Sequence, residues 1–287
     1  LQGQELVFIP AQLKRIDHIQ HSYKCQACSE KNPSDKIVKA PIPKAPLAHS
    51  LGSASIIAHT IHQKFNLKVP NYRQEEDWAR MGLPITRKEI SNWHIKASQY
   101  YLEPLYNLLR ERLLTQPLLH ADETSYRVLE SDSHLTYYWT FLSGKAEKQG
   151  ITLYHHDQRR SGSVVQEFLG DYSGYVHCDM SAYRQLEEAE LVGCWAHVRR
   201  KFFESTPKQA DNSSLGAKGL AYCDQLFALE RDWEVLPADE RLQKRQEELQ
   251  PLMEDFFAWC RRQSVLPGSK LGRAIEYSLK YEETFKA

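Results

Sequence analysis

The spacing of apolar residues changes twice along the chain. Between residues 117 and 204 apolar positions come in short, β-rich runs. Leu118–Thr124 reads as a short strand that ends in polar residues. Leu135–Ser143 (LTYYWTFLS) and Ile151–His155 are two more, bounded by Gly144 and Gly150. Ser161–Leu169 takes helical spacing and is closed by Gly170; Gly174–Asp179 is a strand ending on an acid. Ala182–Ala189 reads as a helix, Leu191–Trp195 as a fifth strand, and His197–Glu204 opens a further helix. Three strands on short links, then strands alternating with helices, predict an α/β unit: a mixed sheet with helices packed on it.

The flanking stretches differ. Residues 5–24 (ELVFIPAQLKRIDHIQHSYK) read as extended, and residues 31–50, with Pro33, Pro41, Pro43 and Pro46 among lysines, as a linker. Residues 51–66 carry helical spacing at Ile56, Ile57, Ile61 and Phe65. Tyr72–Arg80 is a short amphipathic helix that Gly82 and Pro84 break. Thr86 then offers an N-cap with Glu89 three residues on, the spacing of a capping box. The following helix puts Ile90, Trp93 and Ala97 on one side and Arg87, Lys88, Asn92 and Lys96 elsewhere, the pattern of a helix-turn-helix with a DNA-reading helix or of any hairpin with a solvated basic face. Leu102–Leu114 stays helical until Pro117. Downstream, residues 205–265 predict two long charged helices, Leu215–Leu236 and Asp239–Gln263, with Pro251 kinking the second. Pro267-Gly268 is a break, and Lys270–Lys286 a last helix.

Composition narrows the class. The 287 residues are 41% apolar and 26% charged, ordinary for a globular chain of about two domains. No apolar run approaches the roughly 18 residues of a membrane helix, and LQGQELVFIP has no signal-peptide pattern. The chain opens on Leu1 and stops on a helix without a C-cap, so further residues are expected at both ends. Net charge is zero, yet residues 1–116 hold 16 Lys/Arg against 10 Asp/Glu and the remainder 21 against 27. A basic front and an acidic rear suit a nucleic-acid grip ahead of a carboxylate-bearing site. Six cysteines in a chain this long are no disulfide scaffold, which points to the cytoplasm.

Three features carry candidate chemistry. Cys25-Gln26-Ala27-Cys28 presents two thiols, either half of a Zn²⁺ ribbon or two reduced thiols in a turn; His18 and His21 are too close for easy closure around one ion. Asp122 (LLHADET) and Asp179 (GYVHCDMSAY) stand at strand ends. Strand alternation sends Asp122 and Glu123 to opposite faces, so only one of them can face Asp179. Converging carboxylates would hold Mg²⁺ or Mn²⁺ and serve phosphodiester chemistry; otherwise they are caps. Cys194-Trp195-Ala196-His197 precedes Arg199-Arg200-Lys201, which could hold a DNA backbone or form a solvated turn. As a zinc pair, Cys194 and His197 would need two ligands that nothing in the sequence places.

HADET, GYVHCDMSAY and GCWAHVRRKFFE, in this order, resemble transposases of the insertion-sequence-66 family, a bacterial group with an RNase H-like DDE core. FIPAQLKRIDHIQHSYKCQAC resembles that family's zinc-ribbon segment, and VPNYRQEEDWARMGLPITRKEISNW its helical DNA-binding region. The resemblance implies a partial zinc ribbon and linker over 1–46, a helical DNA-binding region over 47–116, an RNase H-like mixed sheet over 117–204, a helical insertion over 205–265, and the start of the core's C-terminal part over 266–287. It implies Asp122 and Asp179 as the first two catalytic acids, Cys194 and His197 as the C-x-x-H signature, and metal-dependent cleavage of element ends with strand transfer into target DNA. A homo-oligomer on DNA and accessory proteins of the same element are implied partners. The family's catalytic Glu lies in an Asn-rich block after the segment resembling AIEYSLKYEETFKA, so residues 1–287 alone are expected to be inactive. Its first zinc-binding Cys pair has no match, and Asp179-Met180 stands where Asp-Gly is usual. A non-catalytic DNA-binding remnant and a stand-alone RNase H-like nuclease are the alternatives.

Overall fold

Ser53, Thr86, Ser161, Ser214 and Ser269 each precede a helix and cap it with a side-chain oxygen, so the helix starts are written in local chemistry. The structure, a computed structural model, describes residues 4–7, 12–31, 37–129, 134–207, 209 and 213–287, without the side chains of residues 29 and 31. Residues 8–11 of the extended segment, Pro33 of the linker and residues 208 and 210–212 of the insertion lie outside them. The chain divides into two units, Leu1–Leu105 and Tyr106–Ala287. The boundary falls inside a helix, eleven residues before the 116/117 division expected from sequence.

In the first unit, β1 (Ser22–Lys24) and β2 (Ile37–Lys39) pair antiparallel, so the linker contains a strand. Between them α1 (Gln26–Lys31) begins directly after Cys25. Then follow α2 (Ala54–Ile61), a π-helical turn at His62–Asn66, α3 (Asn71–Arg80), α4 (Arg87–Ala97), a second π-helical turn at Ser98–Leu102, and α5 (Glu103–Leu114). Leu47, Ile57, Trp93 and Ala97 form its apolar core. Phe65, expected on that face, is exposed; the wide π turn adds a residue to the winding and rotates it away. The buried Thr60 hydroxyl donates to the Ile57 carbonyl and meets His94 Nε2 at 3.1 Å, while Gln74 Nε2 donates to the carbonyls of Thr60 and Val69. These bonds join α2, α3 and α4 through buried polar side chains, of which Gln74 Oε1 and His94 Nδ1 keep no hydrogen-bond partner among the described residues. The capping box is present: Thr86 Oγ1 accepts from the Glu89 amide, and Glu89 Oε2 accepts from the Thr86 amide at 2.8 Å. Thr86→Ala should cost about 1 kcal/mol, read as a lower unfolding midpoint, and Thr86→Ser should keep most of it.

The second unit is built on β3 (Leu118–Tyr126), β4 (Thr136–Ser143), β5 (Thr152–Asp157), β6 (Tyr175–Cys178) and β7 (Glu190–Gly193), in the spatial order β5-β4-β3-β6-β7. The first three pair antiparallel; β6 lies parallel to β3, and β7 parallel to β6. The expected mixed sheet is present. One face is covered by α6 (Gly162–Leu169) and the second half of α5, with Leu113, Leu119, Trp139, Phe141, Val164 and Val176 fully buried. The expected helix at Ala182–Ala189 is absent. Residues 181–185 form turns, Leu186 N–H bonds the Tyr183 carbonyl, and a Cβ on Gly162 would lie 2.8 Å from the Ala182 carbonyl. Close docking on α6 and burial of Tyr183 and Leu186 override helix propensity there.

After α7 (Trp195–Ser205) come α8 (Leu215–Asp232), α9 (Ala238–Lys244), a π-helical turn at Arg245–Leu249, α10 (Gln250–Arg261), α11 (Lys270–Lys280) and α12 (Glu282–Lys286). As expected, Pro251 lies inside one continuous helical run from Ala238 to Arg261, and the π-helical turn directly before it, closed by the Gln250 N–H on the Arg245 carbonyl, is the irregularity at that point. The last helix breaks at Tyr281, beyond which Phe285 packs against Gly193 and Trp195. Residues 205–265 are not a separate body: Val198 and Phe202 of α7, Phe256 and Phe257 of α10, and Ile275 of α11 share one core. Each such Phe contributes about 1.5–3 kcal/mol by burial.

Candidate functional site

The parallel register pairs Leu118 with Tyr175, Leu119 with Val176 and His120 with His177. Two residues beyond the last pair stand Asp122 and Asp179 on adjacent strands: Asp179 just past the end of β6, as expected, but Asp122 in the middle of β3, which outruns β6 and stays paired with β4 as far as Tyr126. Leu119, Ala121, Val176 and Cys178 are buried in the core on the α6 side. Alternation puts Glu123 with Ala121, and its side chain is only 2% exposed. Arg160 Nε and Nη2 both donate to Glu123 Oε1, at 2.9 and 2.7 Å, and the Tyr183 hydroxyl donates to Oε2 at 3.4 Å. Arg160 Nη2 also lies 3.7 Å from Asp179 Oδ2, so one guanidinium serves both carboxylates. Burial, and then the negative charge of Asp179, raise the Glu123 pKa against the pull of Arg160.

Asp179 is further fixed by its neighbours. Its Oδ1 accepts the Ser181 amide at 3.0 Å, its Oδ2 the Ser181 hydroxyl at 3.3 Å, and its carbonyl the Tyr277 hydroxyl at 2.8 Å. Met180 follows at φ 73°, a left-handed backbone that favours glycine and costs other residues roughly 1–2 kcal/mol. Its side chain is nonetheless buried in the sheet core. Asp122 is the open member, with 57% of its side chain exposed. Its Oδ1 accepts the Glu123 amide at 3.0 Å and lies 3.8 Å from His197 Nε2.

His197 is brought there by the Cys194-x-x-His197 turn. The Cys194 amide bonds the carbonyl of Cys178, the last residue of β6, and the His197 amide bonds the Cys194 carbonyl in the first turn of α7. The basic residues that follow separate. Arg199 pairs with Asp224 at 2.6 Å, Lys201 lies 4.5 Å above the Tyr277 ring, and Arg200 is exposed. In the first unit, Arg87, Lys88, Asn92 and Lys96 are all exposed on α4, with Arg87 3.9 Å from Glu75.

Two features escaped sequence reasoning. His120 and His177 meet through their Nδ1 atoms at 3.0 Å, with ring centroids 4.8 Å apart. Burial, followed by the charges of His120 and His197, pushes the His177 pKa down to about 4, and burial lowers that of His120. Both rings are neutral near pH 7. With Asp122, Leu142, Lys145, Cys194 and His197 they line an open cleft of about 480 Å³. The signal was the repeated His-x-Asp on two adjacent strands, since alternation puts His and Asp on one face. The second feature is a stack of Tyr126 on Tyr138, 4.4 Å between centroids and 9° from parallel, with His156 beside it.

The donor chemistry of the acid pair, two carboxylates with Asp122 open, fits a hard divalent ion such as Mg²⁺ or Mn²⁺. Among the described residues no three His, Cys, Asp or Glu side chains gather around one point, so this is a partial ligand set. The same holds at Cys25 and Cys28. The Cys28 amide and thiol hydrogen-bond Cys25 and lower its pKa, while the Cys28 thiol is raised. Two thiols are half of a structural zinc site.

The chain matches the model of the transposase IS66 family over residues 49–287. It is similar to three proteins of Sinorhizobium fredii. Identity to "Uncharacterized protein y4hP" is 24%, over 96% of this chain and 53% of that protein. Identity to "Uncharacterized protein y4qI" is 27%, over 88% and 50%, and to "Uncharacterized protein y4jD" 24%, over 97% and 57%. The chain therefore spans about half the length of the curated relatives it matches.

Proposed function

Because the chain belongs to the IS66 family of transposases, we propose that it serves metal-dependent cleavage of DNA at the ends of an insertion element and strand transfer into target DNA, with Asp122 and Asp179 as catalytic acids of a DDE-type, RNase H-like core. The observation that carries this reading is the sheet. Its β5-β4-β3-β6-β7 order sets the two acids level on the central pair of parallel strands. The whole protein's activity is what is proposed, through carboxylates this chain contributes.

Asp122 and Asp179 would hold the Mg²⁺ or Mn²⁺. When bound, such an ion activates an attacking oxygen and stabilises the leaving one in phosphodiester chemistry. His197 orients the Asp122 carboxylate from the first turn of α7. Arg160 and Ser181 set the direction of Asp179, and Arg160 balances the buried Glu123 beside it. The second unit thus supplies the cutting end.

The first unit would supply the grip. Lys88, Asn92 and Lys96 recur at helical spacing on the exposed side of α4, opposite Ile90 and Trp93, which supports a helix-turn-helix-like contact with DNA. Cys25 and Cys28 would give two of the four Zn²⁺ ligands of a ribbon. A homo-oligomer on DNA, in the cytoplasm and with accessory proteins of the element, completes the reading. Among the described residues no helix is long and apolar enough to cross a membrane.

The binding half has its own test. If Arg87 and Lys88 each neutralise one phosphate, replacing both by Ala should lower the slope of log K against log salt by about 1.8. The measurement is a salt titration of duplex binding. An unchanged slope and unchanged affinity at low salt would make α4 structural only. The cutting half is tested by carboxylate substitution.

A further inference from the structure

We propose that the cleft beside Asp122 is a subsite for one unpaired nucleobase next to the reacting phosphodiester. The inference rests on the transposase reading and names what that site takes besides phosphate. Asp122 is part of the cleft wall, so a phosphodiester held beside this carboxylate through a divalent ion would leave an adjoining nucleoside at the cleft mouth. The volume of about 480 Å³ lies in the range of small-ligand sites, roughly 300–1,000 Å³.

The walls select the occupant. Leu142 and the rings of His120 and His177 make them mostly apolar. The Nδ1 atoms of the two histidines share one hydrogen bond, which needs a proton on one and a lone pair on the other, so at least one ring is neutral. A slot of this kind is a poor seat for phosphate and a good one for the face of a base, which stacks on aromatic rings whatever its identity. Lys145 adds a cation at the rim for the backbone outside, where Glu234 now pairs with it. A base held in a duplex cannot enter; an extruded base or one at a frayed or cut end can.

The test is a binding comparison in Ca²⁺, a hard cation that takes the same oxygen ligands, and it needs no turnover. Fluorescence anisotropy is read for a labelled duplex with a short 3′ overhang, and for the same duplex with an abasic site at the first unpaired position. The intact overhang should bind roughly five- to 150-fold more tightly. Leu142→Trp, which fills the cleft, and His177→Ala should each remove that difference while abasic binding stays as it was, which also reports an intact fold. Tyr138→Ala should leave the difference in place. Equal binding of both probes by the unmodified chain overturns the subsite. So does a difference that survives Leu142→Trp, or one that vanishes with Tyr138→Ala, which would seat the base on the Tyr126–Tyr138 stack. Failure to bind either duplex overturns the transposase reading, and the subsite with it.

Discussion

Asn in place of Asp122 or Asp179 is expected to lower Mn²⁺-dependent cleavage of element-end DNA by more than about 100-fold, with the fold unchanged. Removing a group that only supports a metal ligand typically costs roughly 10–100-fold, and removal of a ligand charge should exceed that. The substitution changes one oxygen to nitrogen and leaves shape nearly intact. Asp122 is mostly exposed, so Asn is tolerated there. At position 179 the side-chain amide can still accept from the Ser181 amide. The assay is 3′-end cleavage by the whole transposase chain, with thermal unfolding alongside. Robust cutting by Asp179→Asn would mean that these acids are not the site. His197→Ala should cost less, because it touches Asp122 and not the phosphate.

Arg160→Ala should destabilise the protein by about 2–3 kcal/mol near neutral pH. Breaking a buried ion pair costs roughly 3–5 kcal/mol, and the discount reflects an Arg160 side chain that is 50% exposed. What remains is a Glu123 carboxylate shut away from water with only the long Tyr183 contact. The pH dependence follows from its raised pKa. The folded chain keeps the Glu123 proton at pH values where the unfolded chain has lost it, so this group's contribution falls as pH rises from the ordinary glutamate value through the folded one. Without Arg160 the folded pKa climbs further. The deficit should therefore be large at about pH 8 and nearly closed at about pH 4, with Glu123→Gln restoring most of it at pH 8. Urea unfolding of the unmodified chain, Arg160→Ala and the double variant Arg160→Ala/Glu123→Gln at both pH values is the measurement. A deficit equal at both pH values would make the loss one of packing around the Arg160 stem.

The strands of the second unit were legible because their apolar runs alternate and are bounded by glycines, and helix starts because Thr86 and Ser161 cap in place. Both acids were legible as candidate residues, Asp179 at the end of its strand and Asp122 inside a β3 longer than the expected one. Their surroundings were not. Glu123 draws in Arg160, 37 residues away, and Tyr183, 60 residues away, through contacts that no local spacing records. The helix expected over 182–189 failed for the same reason, since Tyr183 and Leu186 serve the sheet core. The cleft needed the register of β3 on β6, which turned two separate His-x-Asp spacings into one wall.

The hydroxyl of Tyr277 on the Asp179 carbonyl spans 98 residues, and the Trp195 indole reaches the Phe285 carbonyl across 90. A ribosome adding roughly 5–20 residues per second makes Tyr277 on the order of ten seconds after Asp179. The β6 acid thus leaves the ribosome well before its last anchor exists. Contacts of such long range slow folding, and they hold back completion of the Asp179 end until α11 has been made. A nascent chain stalled before α11 should carry a formed β3–β4–β5 meander beside an unsecured Asp179, a state that limited proteolysis of stalled complexes would reveal as cleavage near Ser181.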